Sequence, residues 1–210
     1  GFLQGVENRR FADAAEIILG GRLEPCGEVD IEGLHECVGM RESLMAHPTV
    51  RVLLKDFEPE VSMLWTDPDT GIRCKGRVDA LSAYADGLPI DIKSAKDASE
   101  DGFRRAVYAR RYHVQDAFYT AGLRYNGSRA PNFIFPVVEN EAPYAVGVYQ
   151  LRSPSLIAGE AEYQRDLRLL ARCRERDEWP GYTANIRDID IPQYGLLQAE
   201  NMTDEDNDDE

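Results

Sequence analysis

The chain has 210 residues, of which 43% are hydrophobic and 30% charged, and its formal net charge is −14. This length fits one domain with a single core, and the composition excludes a wholly disordered chain. No apolar run approaches the roughly 18 residues of a membrane-spanning helix, so no membrane partner is expected. The negative charge would argue against a nucleic-acid partner, but it is unevenly placed, because residues 200–210 hold seven acids and no base.

The cysteine pattern indicates a reducing compartment. The four cysteines are tens of residues apart in most cases, form no close-spaced pair for zinc or an iron–sulfur cluster, and follow no signal peptide. They are Cys26, Cys37, Cys74 and Cys173. We expect reduced thiols in a cytoplasmic protein.

Two helices are predicted at the start of the chain. Glu7 to Leu19 has apolar residues at helical spacing and is followed by two glycines. Asp30 can cap a second helix that runs to about Ala46, and Pro48 ends it. Both helices are interpreted as scaffold.

Three strands are predicted next. Val61 to Trp65 alternates, and the turn-forming sequence after it leads into a strand over Ile72 to Leu81. Asp86-Gly87 then turns the chain into the strand Leu88 to Lys93. Consecutive strands joined by short turns favour an antiparallel meander.

The second half of the chain returns to helices. Ser99 to Tyr125 reads as one helix or two abutting ones, and the apolar strand Asn132 to Val138 after it implies a right-handed crossover. A last strand, Ala145 to Leu151, precedes a long helix that starts at Ser153 and Pro154 and ends near Arg176. The predicted fold class is α/β (α+β), a mixed central sheet with an antiparallel meander, a crossover helix and flanking helices.

The expected domain organisation follows from where periodicity stops. Residues 1–180 form a single domain, with its N-terminal part expected to be incomplete. Residues 181–202 form an extended surface segment, and residues 203–210 form an acidic disordered tail.

Acidic residues occur on three neighbouring strands where apolar packing does not explain them. Glu60 lies on the first, Asp79 on the second and Asp91 on the third, which also carries Lys93 two residues later, on the same face. Buried charges are costly unless they pair or bind a metal. Carboxylates and a backbone carbonyl are the oxygen ligands that magnesium prefers. Taken alone, a D-x-K triplet is more often an ordinary ion pair on an edge strand.

A basic segment follows the lysine. Residues 102–115, GFRRAVYARRYHVQ, hold four arginines and no acid. Arg111, Gln115 and Tyr119 are four residues apart and share a helical stripe. This is where a phosphate backbone would lie against a metal site, although pairing of this helix face with acids of the protein itself is an equal alternative.

At these residues the chain resembles the PD-(D/E)XK nuclease superfamily, and within it the RecE (exonuclease VIII) catalytic domain, a relative of lambda exonuclease and RecB-like nucleases. The resemblance covers roughly residues 60–179. Its carriers are WTDPDTGIRCKGRVD at 65–79, the triplet Asp91-Ile92-Lys93, the segment YHVQDAFY at 112–119 and DEWP at 177–180. Gln115 and Tyr119 match the Q-x-x-x-Y motif of RecB-like nucleases.

The resemblance implies an ATP-independent, magnesium-dependent exonuclease that digests one strand of linear double-stranded DNA from its 5′ end. It implies two Mg²⁺ ions per active site, with Mn²⁺ as a substitute. The 3′ overhang would pass to a RecT-type single-strand annealing protein for recombination, in a bacterial or phage-encoded system. It also implies a ring-shaped homo-oligomer, a trimer or tetramer, with a basic channel inside an acidic exterior.

Site residues carried over from the resemblance fall into two groups. The catalytic and metal-binding group comprises Lys93, which would activate the attacking water, together with Asp79, Asp91, the Ile92 backbone carbonyl, and Glu60 directly or through water. The substrate-binding group comprises Gln115, Tyr119, Arg110, Arg111 and, as a weaker candidate, Arg77.

The sequence departs from the family in two places. Val78 stands where the superfamily's name has proline, a position that is often replaced. The upstream Gly-x-x-x-His element of RecE-like and RecB-like domains has no match, because His35 and His47 lack the glycine spacing. Either the segment that carries this element is missing from the sequence, or the metal-binding residues differ from those of the family.

Three alternatives keep other functions open. A Cas4-like or RecB-like nuclease of other polarity shares the fold, but an iron–sulfur version needs a cysteine cluster where Cys173 stands alone. A catalytically inactive relic would bind DNA ends without cutting, although Asp79, Asp91 and Lys93 are all present. An acidic interaction protein acting through Thr203 to Glu210 would leave the carboxylate set unexplained.

Overall fold

A computed structural model describes residues 31–84, 87–129, 133–183 and 185–197. The helix predicted over Glu7–Leu19 and the acidic tail from Thr203 lie outside the described residues. The structure divides into two compact units, one ending at Arg172 and the other beginning at Cys173. The domain boundary predicted at residue 180 stays a prediction.

The order of helices and strands agrees with the sequence analysis except at two places. The elements are α1 (Ile31–Ala46), α2 (Pro48–Leu53), β1 (Phe57–Thr66), β2 (Arg73–Ser82), β3 (Leu88–Ile90), β4 (Lys93–Ala95), α3 (Glu100–Ala109), α4 (Tyr112–Tyr125), β5 (Ile134–Glu139), β6 (Val146–Gln150) and α5 (Ser153–Arg176). The expected α/β (α+β) fold class is confirmed.

Proline accounts for the first difference. Pro48 was expected only to end α1, but it also occupies the first turn of α2. Proline fits there because an N–H group in the first turn of a helix has no hydrogen-bond partner within that helix, so its loss removes no bond. The chain therefore bends at His47 and continues as a second, short helix.

A break in the third predicted strand is the second difference. Leu88 to Lys93 was expected as one strand, but Asp91 and Ile92 lie between β3 and β4 and belong to neither. The Asp91 N–H still donates to the Ile134 carbonyl at 3.1 Å. The break frees the backbone N–H of Ile92 to donate to a side chain instead of to the sheet.

Of the two alternatives predicted for Ser99–Tyr125, one helix or two abutting ones, the structure has two helices. Ser99 caps α3 by accepting a hydrogen bond from the Gly102 N–H at 3.1 Å. Arg111 has a left-handed backbone conformation, with φ of 58°, so the chain changes direction after α3. Helix α4 begins at the next residue, Tyr112. Both helices pack on the same side of the sheet.

The sheet is mixed, in the order β1-β2-β3-β5-β4, with β6 antiparallel to β5. Strands β1, β2 and β3 form the predicted antiparallel meander. Strands β3 and β4 both run parallel to β5, as a crossover requires. Because β3 ends where β5 lies alongside, Asp91 is placed inside the sheet and not at its edge.

Two hydrophobic clusters pack on the sheet. One joins β1 and β2 to α3, α4 and α5, and includes the fully buried Phe133 and Phe135. The other joins β2, β3 and β5 to α1 and α2, and includes the fully buried Leu44 and Val50. The helices thus form two layers with the sheet between them. Among the described residues, no helix is both long enough and apolar enough to cross a membrane.

Candidate functional site

Two carboxylates meet beside the break between β3 and β4. Asp79, near the end of β2, accepts a hydrogen bond at Oδ2 from the Ile92 N–H at 2.9 Å. Asp91 follows β3 directly and is 2% exposed. The broken strand therefore lets one short segment, Asp91-Ile92, supply an acid and also hold the acid of the neighbouring strand.

Lys93, at the start of β4, is the positive charge of this site. Its ammonium group forms an ion pair with Asp91 Oδ2 and donates to Gln115 Oε1 at 3.1 Å. It also lies 4.5 Å from the centre of the Tyr112 ring, a cation–π contact. Three partners, one from the break in the sheet and two from α4, therefore fix one amine.

Gln115, on α4, links the acid and the lysine. Its Nε2 donates to Asp91 Oδ1 at 2.8 Å while its Oε1 accepts from Lys93. One amide thus uses both of its ends to hold two opposite charges in place. Apart from the charge contact with Lys93, Asp91 Oδ2 is buried without a hydrogen-bond partner among the described residues.

Burial and mutual repulsion disfavour the ionised form of both carboxylates at once. Burial, and then the negative charge of Asp91, raise the pKa of Asp79 to about 7, although Lys93 and the Ile92 N–H act in the opposite direction. Burial acts to lower the pKa of Lys93, but Asp91 outweighs it and the pKa of Lys93 is raised. Two acids this close and this buried favour an additional cation.

Glu60 lies beside the pair on a distorted part of β1. Its φ of 55° is in the left-handed region, which is unusual for a residue with a side chain. The register places it opposite Asp79, between the pairs Pro59–Ala80 and Val61–Val78. Its carboxylate pairs with Arg77 Nε at 2.6 Å, and its charge also raises the pKa of Asp79.

The distortion coincides with a change in the buried face of the β1–β2 hairpin. Phe57 and Ala80 pack in the cluster with α1 and α2. Val61 and Val78 pack in the cluster with α3, α4 and α5. Glu60 and Asp79 lie at the point where the hairpin passes from one cluster to the other, so its regular alternation is interrupted there.

Tyr119 lies over β2, and glycine makes room for it. A Cβ atom at Gly76 would be 3.1 Å from the Tyr119 ring and 2.7 Å from the end of Met63. Burial raises the pKa of Tyr119, and the charge of Asp91 adds to the effect. The second residue of the predicted Q-x-x-x-Y pair is therefore close enough to respond to the carboxylates.

The predicted arginines are placed differently from one another. Arg111 donates from Nε to Glu162 at 3.0 Å and from Nη2 to Asp166 at 2.7 Å, both on α5. Arg110 is exposed and has no ion pair among the described residues. Arg77 pairs with Glu60. Arg111 thus connects two helices, in keeping with the alternative that this helix face pairs with acids of the protein itself.

Two residues of the site were missed from the sequence. Tyr112 contacts Lys93 and precedes Gln115 by three residues, a spacing that puts both on one helix face. Asp116 is fully buried, accepts from Thr120 Oγ1 at 3.1 Å, and has its other oxygen without a hydrogen-bond partner among the described residues. Burial raises the pKa of Asp116 to about 6. Helical spacing from Gln115 was the signal for Tyr112, and nothing indicated Asp116.

The carboxylates fit a divalent cation in charge and in donor type. Among the described residues no group of three or more His, Cys, Asp and Glu side chains is arranged to hold a metal. Asp79 and Asp91, with the carbonyl of Ile92, are oxygen donors of the kind that Mg²⁺ takes, with water completing the shell. The raised pKa of Asp79, next to the buried Asp91, indicates that a further positive charge would stabilise the ionised pair.

Comparisons with known proteins bear on the family and the fold of the chain. A family model described as "PDDEXK-like domain of unknown function (DUF3799)" matches residues 4–190. A crystal structure from Eubacterium rectale, described as a "Putative exonuclease", is similar in fold, with a TM-score of 0.60 and 12% identity over 89% of this chain and 77% of that chain. A crystal structure of SSO0001 has a TM-score of 0.35 and 18% identity, over 66% of this chain and 59% of that chain. No curated protein matches the chain.

The family match confirms the PD-(D/E)XK core that the sequence resembled, and nucleases of this kind generally use divalent metals. The closer relation to RecE stays a prediction. With the match extending over most of its length, the chain belongs to the PDDEXK-like family DUF3799.

Proposed function

We propose that this protein is a magnesium-dependent deoxyribonuclease of the RecE type, an ATP-independent exonuclease that digests one strand of linear double-stranded DNA from its 5′ end. The observation that carries the proposal is the convergence of Asp79, Asp91 and Lys93 at the break between β3 and β4. The family match supports nuclease chemistry, and the description of the Eubacterium rectale protein favours an exonuclease.

The residues have separate roles in this proposal. Asp79, Asp91 and the Ile92 carbonyl would hold the cation, with Glu60 completing the site directly or through water. A bound divalent cation supplies charge stabilisation at the phosphate and acidifies water. Lys93, as an ammonium group held by Asp91, would orient and polarise the attacking water.

Residues of α4 support this arrangement. Gln115 holds Asp91 and Lys93 in position, because it hydrogen-bonds to both. Tyr119 is proposed to position substrate over β2. Arg110, which is exposed, is proposed to contact the DNA backbone, whereas Arg111 reaches it only if its ion pairs with α5 open.

The partners are part of the same proposal. Double-stranded DNA ends are the substrate, a RecT-type annealing protein receives the 3′ overhang, and the protein acts in the cytoplasm as a ring-shaped trimer or tetramer. The net charge of −14 is compatible with DNA only if the DNA contacts a local basic surface.

Digestion of a linear duplex with different labels on its 5′ and 3′ ends tests the proposal. Wild type and Lys93→Ala are compared with Mg²⁺, with Mn²⁺ and with chelator. We expect metal-dependent release of the 5′ label as mononucleotides by the wild type only. Release of the 3′ label would give the opposite polarity, and a fully active Lys93→Ala protein would refute the mechanism.

A further inference from the structure

One face of the β1–β2 hairpin is positively charged and exposed. Arg73, Lys75 and Arg77 alternate along β2 with the buried Cys74 and Val78. Side chains two apart on a strand share a face, so the three cations lie on the side opposite the core. Strand geometry spaces them about 6.6 Å apart along the strand.

The partner strand extends this face without adding negative charge. In the antiparallel register Thr66 is opposite Arg73, Leu64 is opposite Lys75, and Ser62 is opposite Arg77. All three are exposed, and the Leu64 side chain is 70% exposed. We call these six residues the outer hairpin face. It carries three bases and no acid, in a protein with 38 acids and 24 bases.

Two of the three positive charges on this face have no ion-pair partner in the described part of the chain. Among the described residues, Arg73 and Lys75 form no ion pair, whereas Arg104 and Arg105 of α3 pair with Glu100 and Asp97. Two of the three cations are therefore available to an external anion.

The outer hairpin face leads to the carboxylates. Its innermost cation, Arg77, forms an ion pair with Glu60, and the charge of Glu60 acts on Asp79. The three cations thus form a line that starts near the turn at Gly71 and ends beside the site. A polyanion bound along this line would have one end at the carboxylates.

We propose that the outer hairpin face binds the phosphate backbone of the DNA that is cut at the carboxylate site. The inference rests on the proposed function and adds the path of the substrate to it. Strand-spaced cations contact phosphates without reading bases, so the binding is independent of sequence. The exposed Ser62 and Thr66 hydroxyls are additional donors to phosphate oxygens.

Salt-dependent DNA binding tests this inference. Binding of a labelled linear duplex is measured in Mg²⁺ with Lys93→Ala protein, which is expected not to cut, and with the same protein carrying Arg73→Gln and Lys75→Gln. Each lost phosphate contact lowers the slope of log K against log salt by about 0.9. We therefore expect the slope to fall by about 1.8, with affinity at least 10-fold weaker at low salt.

A matched control separates local contact from overall charge. Arg168→Gln with Arg172→Gln removes two exposed charges of α5 and changes the net charge by the same amount. We expect its slope to stay within 0.5 of the parent's. An equal fall in both double variants, or no fall in the hairpin variant, overturns the inference.

A gain of binding provides a second readout. Leu64→Arg adds a cation directly opposite Lys75 on the same face, and we expect a steeper slope by about 0.9. The wild-type digestion assay distinguishes the two proposals. If the wild type cuts DNA and all hairpin variants bind like the parent, only the outer hairpin face is refuted. If the wild type neither cuts nor binds, both proposals fail.

Discussion

Gln115 and Asp91 are joined by a hydrogen bond of 2.8 Å that connects helix α4 to the break in the sheet. The same amide accepts a hydrogen bond from Lys93 through its oxygen. The helix therefore determines where the acid and the amine stand relative to each other, and the site depends on contacts more than 20 residues apart in the sequence.

Replacing Gln115 by methionine removes both hydrogen bonds and preserves the length of the side chain. We expect DNA cleavage to fall about 10- to 100-fold, the usual effect of losing a residue that orients a metal ligand. The loss should appear in kcat and leave KM nearly unchanged, as measured by steady-state digestion of labelled duplex.

The control for this variant is Gln164→Met. Gln164 makes a comparable hydrogen bond, to Glu160 at 3.3 Å on the exposed side of α5. Cleavage by this protein should match the wild type. An active Gln115→Met protein would mean that Asp91 and Lys93 need no support from α4.

Tyr112 should matter for its ring and not for its hydroxyl. Tyr112→Phe keeps a cation–π contact with Lys93 and should retain cleavage to within about threefold. Tyr112→Leu removes it and should lower kcat about 10- to 30-fold, because such contacts are worth up to about 2 kcal/mol away from water. Digestion kinetics of the two variants measure the difference.

Loss of packing is controlled by Tyr149→Leu. Tyr149 stacks on Phe103 at 5.0 Å, as Tyr112 does at 6.1 Å, but none of its contacts in the described part of the chain is with Lys93. Tyr149→Leu also loses the hydrogen bond that the Tyr149 hydroxyl donates to the Ala98 carbonyl at 2.6 Å, so it should lose at least as much stability as Tyr112→Leu in thermal unfolding. If Tyr149→Leu also loses kcat to the same extent, Tyr112 acts through packing alone.

We expect the backbone conformation of Glu60 to lower the stability of the protein, while its carboxylate contributes to cleavage. Glu60→Gly and Glu60→Ala both remove the carboxylate and its pair with Arg77, so their cleavage should fall alike. Glycine tolerates the φ of 55°, whereas alanine keeps the strain. The glycine variant should be more stable by about 1 kcal/mol in urea unfolding. Equal stabilities would mean that β1 relaxes when the side chain is lost.

Stability of the metal-free protein should fall as pH rises from about 4 to about 7. The pKa of Asp79 is 3.8 as the ordinary value and about 7 in the folded protein. The folded state therefore binds this proton more tightly than the unfolded chain, and ionisation favours unfolding. The pKa of Asp116, raised to about 6, acts in the same direction. Urea unfolding across this pH range, in chelator, measures the effect.

Asp79→Asn isolates the contribution of one acid. Its stability should vary less with pH, by an amount on the order of a few kcal/mol between these limits. Mg²⁺ should stabilise the wild type more at pH 7.5 than at pH 5.5 and should have little effect on Asp79→Asn. A wild-type pH profile identical to that of Asp79→Asn would contradict the coupling.

The sequence predicted the order of the elements and the acids of the site because both depend on local patterns. Alternation and turn residues located β1 and β2, and D-x-K located Asp91 and Lys93. It did not predict the break at Ile92, because the Asp79 oxygen that holds the Ile92 N–H comes from 13 residues away. It assigned Arg111 to DNA as one of two alternatives, since Glu162 and Asp166 lie about 50 residues further on.

The β1–β2 hairpin passes from one hydrophobic cluster to the other at Asp79, so the position of this carboxylate depends on the packing of both clusters. Val78 and Ala80, on either side of Asp79, are anchored in different clusters. A cavity made in either cluster would shift one neighbour of this acid and leave the other in place, turning the carboxylate about the chain axis. Cleavage in such variants should therefore respond to the balance between the two clusters as well as to the stability of the whole protein.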